Sequence, residues 1–296
     1  MRVLAPAKVN LGLAVVGRRA DGYHELESVF APLDLADEVE VELARGGEAS
    51  VELSVLGAGP GVPTGPENLA VRAARAFLDA AGVRARVRIT LAKRIPAAAG
   101  LGGGSSDAGA VLRALAGALP GALASEALER VALGLGSDVP FFLDPRPAFV
   151  SGVGELRAPL PGALPPLALV LANPGTPLPT ARVFAAYAAR GAPPSPRGRV
   201  AARLREALGA PREALPGRLA ALLENDLEPA AEALCPALGP LREALRRAGA
   251  LAIGLSGSGA TLYGVFASPP AAAVALAGGG LGPGTWARVA RTLEAG

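Results

Sequence analysis

Glutamine is absent from this 296-residue chain, and cysteine, histidine, methionine and tryptophan each occur once. A single cysteine, Cys235, cannot form an intramolecular disulfide, and one His with one Cys cannot build a zinc site, so neither a disulfide scaffold nor a zinc module is open to the chain. Aromatics make up 4% of residues and no Lys/Arg run is interleaved with them, which gives nucleic-acid binding little support. Net charge is only +3, a small surplus of arginine rather than a basic tail. At the N-terminus Arg2, Pro6 and Lys8 interrupt the apolar stretch, and no signal-peptide core is expected. Residues 248–287 carry no charge, but ten glycines with prolines and Ser/Thr break that stretch, so it reads as buried strands and turns, not a membrane span. With 51% hydrophobic and 19% charged residues the chain can bury sizeable cores, and its length suits two ordinary domains. The expectation is a cytoplasmic protein of a reducing compartment.

Lysine is nearly as scarce. Lys and Arg total 29, yet only Lys8 and Lys93 are lysines, leaving 27 arginines. Heat adaptation and nucleotide bias would both produce such a composition. Arginine has been acceptable almost everywhere, so the two lysines are candidates for positions that need a compact ammonium instead of a planar fork. The lone His24 and the four asparagines, Asn10, Asn68, Asn173 and Asn225, stand out for the same reason.

Residues 9–16 read as a strand, and the alternation of Val39, Val41 and Leu43 with Glu40 and Glu42 predicts a half-buried one, as do Val51, Leu53 and Val55. Pro66-Glu67-Asn68 opens an amphipathic helix, and Val87, Ile89 and Leu91 mark another strand. A glycine-rich loop follows, after which Ser106 or Asp107 can cap a helix running to about Ala118. Beyond a Pro/Gly-rich stretch at 158–166, strands at 167–172, 251–256, 260–266 and near 285–289 alternate with helices in the split βαβ order of ferredoxin-like domains. The expected architecture is α+β in two domains, 1–155 and 156–296.

The loop reads Pro96, Ala97, Ala98, Ala99, Gly100, Leu101, Gly102, Gly103, Gly104, Ser105, Ser106, Asp107, between a strand and a helix. Glycines let the backbone approach a ligand closely, and the free N–H groups and dipole of the following helix favour an anion. Together they predict a phosphate cradle. It is not a Walker loop, since no lysine follows residue 93, and no parallel βαβ unit with an acidic partner supports a dinucleotide fingerprint.

GLGGGSSDAG closely resembles the nucleotide loop of the GHMP kinases. The segments PAKVNLGLAVVGRRADGYHELESVF (6–30), GSDVPFFL (136–143), PTARVF (179–184), NDLEP (225–229) and GLSGSGATLYGVF (254–266) extend the likeness over almost the whole chain. They resemble the branch acting on 4-diphosphocytidyl-2-C-methyl-D-erythritol in the non-mevalonate isoprenoid pathway. One departure is Ala98, where the family usually has glycine, and it bears on the loop's first turn.

The resemblance implies an N-terminal ribosomal-protein-S5-like domain, a C-terminal ferredoxin-like domain, and transfer of the ATP γ-phosphoryl group to the substrate's 2-hydroxyl. Asp138 matches the family's catalytic aspartate and Lys8 the lysine expected close to it. Asn68, Lys93 and the loop 96–106 match positions serving ATP. Tyr23, His24 and Phe184 match the cytosine side, and Asn10 and Thr180 the erythritol or diphosphate end. Mg²⁺ is implied as arriving with ATP, with no resident metal site and no nucleic-acid or membrane partner, in a monomer or weak homodimer. The residues by themselves leave other readings open: Asp138 suits a turn or cap, Lys8 a solvated strand, and His24 or Tyr23 ordinary packing. Another GHMP kinase acting on a sugar, homoserine or mevalonate, or a non-catalytic nucleotide sensor, would share much of the pattern.

Overall fold

The structure, a computed structural model, describes residues 1–46, 48–57, 61–211 and 214–294. They form two compact units. The first comprises Met1–Ala7, Leu35–Ala97 and Gly102–Pro145, the second Lys8–Asp34, Ala98–Leu101 and Arg146–Gly296. Two long strands, β1 (Arg2–Arg18) and β2 (His24–Arg45), contribute residues to both.

In the first unit the distal half of β2 pairs antiparallel with β4 (Ala85–Ala92), and β3 (Ser50–Leu56) pairs parallel with β4. The period-2 pattern sets the register: Val39 faces Leu91 and Val41 faces Ile89, turning these apolar side chains to one side. Helices α1 (Leu69–Ala81), α2 (Gly103–Ala118) and α3 (Ser125–Leu135) and a 3-10 turn at Pro140–Leu143 complete this unit. Its core gathers Phe77, Ile89, Leu91, Leu112 and Leu115, all sealed from water. Each such side chain contributes on the order of 1.5–3 kcal/mol. A Cβ on Gly109 of α2 would lie 2.5 Å from Phe142 Cβ, so glycine there lets the 3-10 turn pack directly on the helix.

The expected caps of α2 are not used. Gly102, at φ 71°, is the N-cap, and Ser106 and Asp107 lie inside the helix, both buried. Left-handed backbone is cheap for glycine, so the helix starts four or five residues earlier than a side-chain cap would set it.

The second unit contains β5 (Ala148–Ser151), β6 (Leu156–Pro159), β7 (Ala168–Asn173), β8 (Ala252–Leu255), β9 (Leu262–Phe266) and β10 (Trp286–Arg291). Its helices are α4 (Thr180–Ala189), α5 (Arg199–Leu208), α6 (Leu215–Leu222), α7 (Glu228–Leu234), α8 (Leu238–Arg247) and α9 (Pro269–Ala277). The four-stranded sheet runs β10-β7-β9-β8 with every neighbour antiparallel. Leu13, Val170, Val183, Leu238, Leu245 and Leu262 share its core.

A single cut near residue 155 does not describe this division. Val29 of β2 pairs with Phe149 of β5, Leu33 bridges to Thr292 and Leu13 to Asn225, which joins residues 8–34 to the C-terminal half. No turn signal marks the change, because β1 and β2 run through it unbroken.

Candidate active site

Residues 98–101 of the glycine loop are held in the second unit by three successive carbonyls. The oxygens of Ala99, Gly100 and Leu101 accept from the Thr261 N–H (3.3 Å), Ser256 Oγ (2.8 Å) and the Lys8 N–H (2.9 Å). A trans peptide points its C=O and N–H in opposite directions, so these bonds turn the N–H groups of Gly100, Leu101 and Gly102 the other way. Successive N–H groups so presented make an anion-binding nest. A Cβ on Gly100, whose φ is +76°, would fall 2.3 Å from the Ser256 oxygen, so only glycine permits this approach. Beyond the loop, α2 starts from Gly102, whose lack of a side chain leaves the first turn without a side-chain cap from the N-cap residue.

Lys8 lies on β1 and is 4% exposed. Its Nζ donates to Asn10 Oδ1 (2.6 Å) and stands 4.3 Å above the Phe30 ring. Asn10 Nδ2 donates to Ser28 Oγ (2.9 Å), and that hydroxyl donates to the Gly12 carbonyl (2.6 Å). Tyr263 OH donates to the Asn10 carbonyl (2.6 Å), fixing the backbone as well. A Cβ on Gly257 would come 3.3 Å from Asn10 Oδ1 and 3.8 Å from Lys8 Nζ. The structure therefore brings Lys8, Asn10, Gly100, Leu101 and Gly257 together within one unit.

In the first unit, Lys93 follows β4 and its ammonium is shared by two carboxylates. It donates to Asp37 Oδ2 and to Asp107 Oδ2, the latter at 2.7 Å. Burial disfavours the charge of Lys93, but Asp107 and Asp37 outweigh it and hold the pKa above the ordinary lysine value. Asp107 is itself pushed up to about 7, because burial and the Asp37 charge outweigh the attraction of Lys93. Asn68 caps α1: its Oδ1 accepts from the Ala70 N–H (2.9 Å) and its Nδ2 donates to the Pro63 carbonyl (2.6 Å). Asp138 is half-buried in the turn between α3 and the 3-10 turn. The sealed rings of Phe141 and Phe142 anchor the residues just after it.

His24, at the start of β2, stacks on Phe184 of α4 with centroids 5.2 Å apart, and Tyr187 meets it edge-on at 5.8 Å. Burial, with the nearby Arg18 charge, pulls the His24 pKa below its ordinary value and favours a neutral imidazole that can both donate and accept. Tyr23 points to solvent, 66% exposed. Thr180 Oγ1 and Ser258 Oγ share a hydrogen bond of 2.9 Å.

Sequence reasoning did not single out Asp37, Asp107, Ser28, Tyr187 or Gly257 as site residues. Gly257 carried a local signal inside the Gly/Ser run at 254–260, and Asp107 one at the end of the glycine loop, where it reads as a helix cap; the importance of Asp37, Ser28 and Tyr187 lies in distant partners. All four asparagines are buried, and Asn225 Nδ2 donates to the carbonyls of Leu255 and Gly257, bracing the loop beside Lys8.

Comparison with known proteins gives a consistent likeness. Residues 68–144 match the model for the N-terminal domain of GHMP kinases, and residues 204–283 the model for the C-terminal domain. A 4-diphosphocytidyl-2-C-methyl-D-erythritol kinase of Anaeromyxobacter dehalogenans is 45% identical, with 98% of this chain and 90% of the relative covered. One from Citrifermentans bemidjiense is 40% identical over 99% of both chains. The crystal structure of a 4-(cytidine 5'-diphospho)-2C-methyl-D-erythritol kinase superposes with a TM-score of 0.77 at 41% identity, covering 99% of this chain and 100% of the other.

Proposed function

The chain belongs to the 4-diphosphocytidyl-2-C-methyl-D-erythritol kinases of the GHMP family, and from that premise we propose that it transfers the γ-phosphoryl group of ATP to the 2-hydroxyl of 4-diphosphocytidyl-2-C-methyl-D-erythritol. The observation that carries the reading is Lys8: its backbone N–H holds the carbonyl of Leu101 in the glycine loop, while its ammonium is buried two residues from the Asn10 amide. A cation is thereby tied to the backbone that presents N–H groups to phosphate.

Phosphoryl transfer needs alignment, charge neutralisation and a proton acceptor, with little covalent help from the protein. We assign phosphate binding to the backbone of residues 96–106 and stabilisation of the reacting oxygens to Lys8. Asp138 orients the hydroxyl and accepts its proton as the O–P bond forms and ADP leaves. Asn10 and Thr180 take the polar end of the acceptor. His24 and Phe184 take the cytosine; their rings are already in contact, so the base stacks on an outer face or parts them. Tyr23, exposed on the same segment, is assigned to the cytosine side as well. Asn68 and Lys93 remain assigned to the nucleotide end, in positions where their side chains already bind protein groups.

Mg²⁺ enters as part of the nucleotide substrate. Among the described residues no group of three or more His, Cys, Asp or Glu side chains is placed to hold a metal ion. Hard cations of this kind are commonly carried on substrate phosphates. We read the first unit as S5-like and the second as ferredoxin-like, supported by the β10-β7-β9-β8 order with helices between the strands. Among the described residues no helix is long and apolar enough to cross a membrane, and we take the setting to be cytoplasmic.

The test is incubation of purified protein with MgATP and a panel of acceptors, following ADP and the phosphorylated product. Consumption of the cytidylyl substrate alone is expected. Phosphorylation of homoserine or mevalonate in its place, or no ATP-dependent product at all, would defeat the proposal. Asp138→Ala should lower kcat by about 10²–10⁴-fold while ATP affinity changes little; retention of most activity would remove Asp138 from its assigned role.

A further inference from the structure

Three charged side chains lie outside the catalytic set, sealed in the first unit. Asp37 is 0% exposed, Lys93 6% and Asp107 4%. Asp37 Oδ1 accepts the N–H groups of Arg94 and Ile95, the latter at 2.9 Å, and Oδ2 takes the Lys93 ammonium. Lys93 also bonds Asp107, fourteen positions further along, in the second turn of α2. Lys93 is the residue at which the chain leaves β4 for the glycine loop, and Asp107 follows the loop's exit, so one ammonium ties the two ends of the loop together. The packing is tight: a Cβ on Gly103, the first residue of α2, would lie 3.0 Å from Ile95 Cγ2 and 3.5 Å from Lys93 Nζ.

A buried ion cluster is a weak source of stability, since desolvation offsets most of the attraction and apolar replacements are often no worse. This one is also incompletely satisfied. Asp107 Oδ1 and the neighbouring Ser106 Oγ are buried with no hydrogen-bond partner. What the cluster does supply is fixed geometry at both ends of the loop.

We propose that Asp37, Lys93 and Asp107 are positioning residues, a clamp that sets the span of the nucleotide loop and the aim of the α2 N-terminus and so governs ATP affinity without touching phosphate. The proposal rests on reading the loop as the ATP site. It also gives Lys93 a role different from an adenosine contact: the side chain acts through the loop, whatever the base.

The test measures Mg-complexed, non-hydrolysable ATP and GTP analogues by calorimetry, with steady-state kinetics for both substrates, in the wild type and in Asp107→Asn, Asp37→Asn and Lys93→Arg. Asp107→Asn, which keeps the shape and loses the charge, should weaken both analogues about tenfold, the usual worth of one charge-assisted hydrogen bond. The KM for ATP should rise in step, with kcat at saturating ATP and the KM for the cytidylyl substrate within about twofold. Lys93→Arg should weaken ATP and GTP analogues by the same factor. The clamp is overturned if Asp107→Asn only lowers the melting temperature, or if both KM values rise together. It is also overturned if Lys93→Arg alters ATP-over-GTP preference while the two aspartate variants bind ATP normally. A wild type that binds neither analogue would instead overturn the reading of the loop itself, and the clamp with it.

Discussion

Lys8 in the second unit is 4% exposed, and the Lys93 side chain in the first is 6% exposed. Within the second unit Lys8 donates to an amide oxygen and stands over an aromatic face, and its backbone N–H holds the glycine loop. Lys93 is gripped by two carboxylates. Lys8 thereby sits against the middle of the glycine loop, and Lys93 links the strand before that loop to the helix after it. Both need a compact head with tetrahedral donors, which explains why lysine stands at these two positions in a chain that otherwise uses 27 arginines.

The sharpest way to break this contrast is to give both positions the same replacement. Lys8→Arg should lower kcat by roughly 10²-fold, because a planar guanidinium cannot occupy the site of a point-like ammonium held against Asn10. Its effect on ATP binding should be the smaller one. Lys93→Arg should show the reverse, a KM effect with kcat nearly retained. Steady-state kinetics on the pair decides the matter, and near-normal turnover in Lys8→Arg would show that the lysine there is incidental.

A second difference is electrostatic. Asp107, beside Lys93, carries a pKa pushed up to about 7 by burial and by Asp37, against the pull of Lys93. A carboxyl raised in the folded state contributes stability fully present below its unfolded value near 3.8, and that contribution is lost as pH rises through about 7. Between about pH 5 and about pH 8 the melting temperature of the wild type should therefore fall relative to that of Asp107→Asn, which has nothing to titrate there. A gap between the two proteins that stays constant over this range would mean that Asp107 remains ionised throughout.

The sequence made some of this legible and hid the rest for physical reasons. Strands with period-2 alternation, such as 39–43 and 87–91, were readable because one face is buried and the other wet. The glycine loop was readable because backbone that approaches another chain segment as closely as Gly100 approaches Ser256 admits few residue types. Residue scarcity marked Lys8, Lys93 and the asparagines. Asp37 left no trace, since aspartate is common and its meaning comes from partners 56 and 57 positions away. The division into units was equally hidden, because hydrogen bonds such as that of Leu13 with Glu224 join segments remote in sequence. The cap of α2 was misplaced because glycine in the left-handed region competes with Ser and Asp for the same task.

Both lysines border the loop that contains Ala98, and this residue offers the finest probe of how tightly the loop is held. Among the described residues Ala98 alone has a positive φ without being glycine, at 49°, and it is exposed. Left-handed backbone costs an alanine about 1–2 kcal/mol. Glycine would relieve that strain but lose about 0.5–1 kcal/mol to its freer unfolded chain. Ala98→Gly should therefore stabilise the protein by about 0.5–1 kcal/mol, a rise in melting temperature of about 1–2 °C. If the carbonyl bonds at Ala99, Gly100 and Leu101 and the Lys93 link dominate loop geometry, the KM for ATP should stay within about twofold in this variant. A lower melting temperature would show that Ala98 is not strained. A large KM change with normal stability would show that the first turn of the loop, and not its tethered ends, sets the fit to the nucleotide.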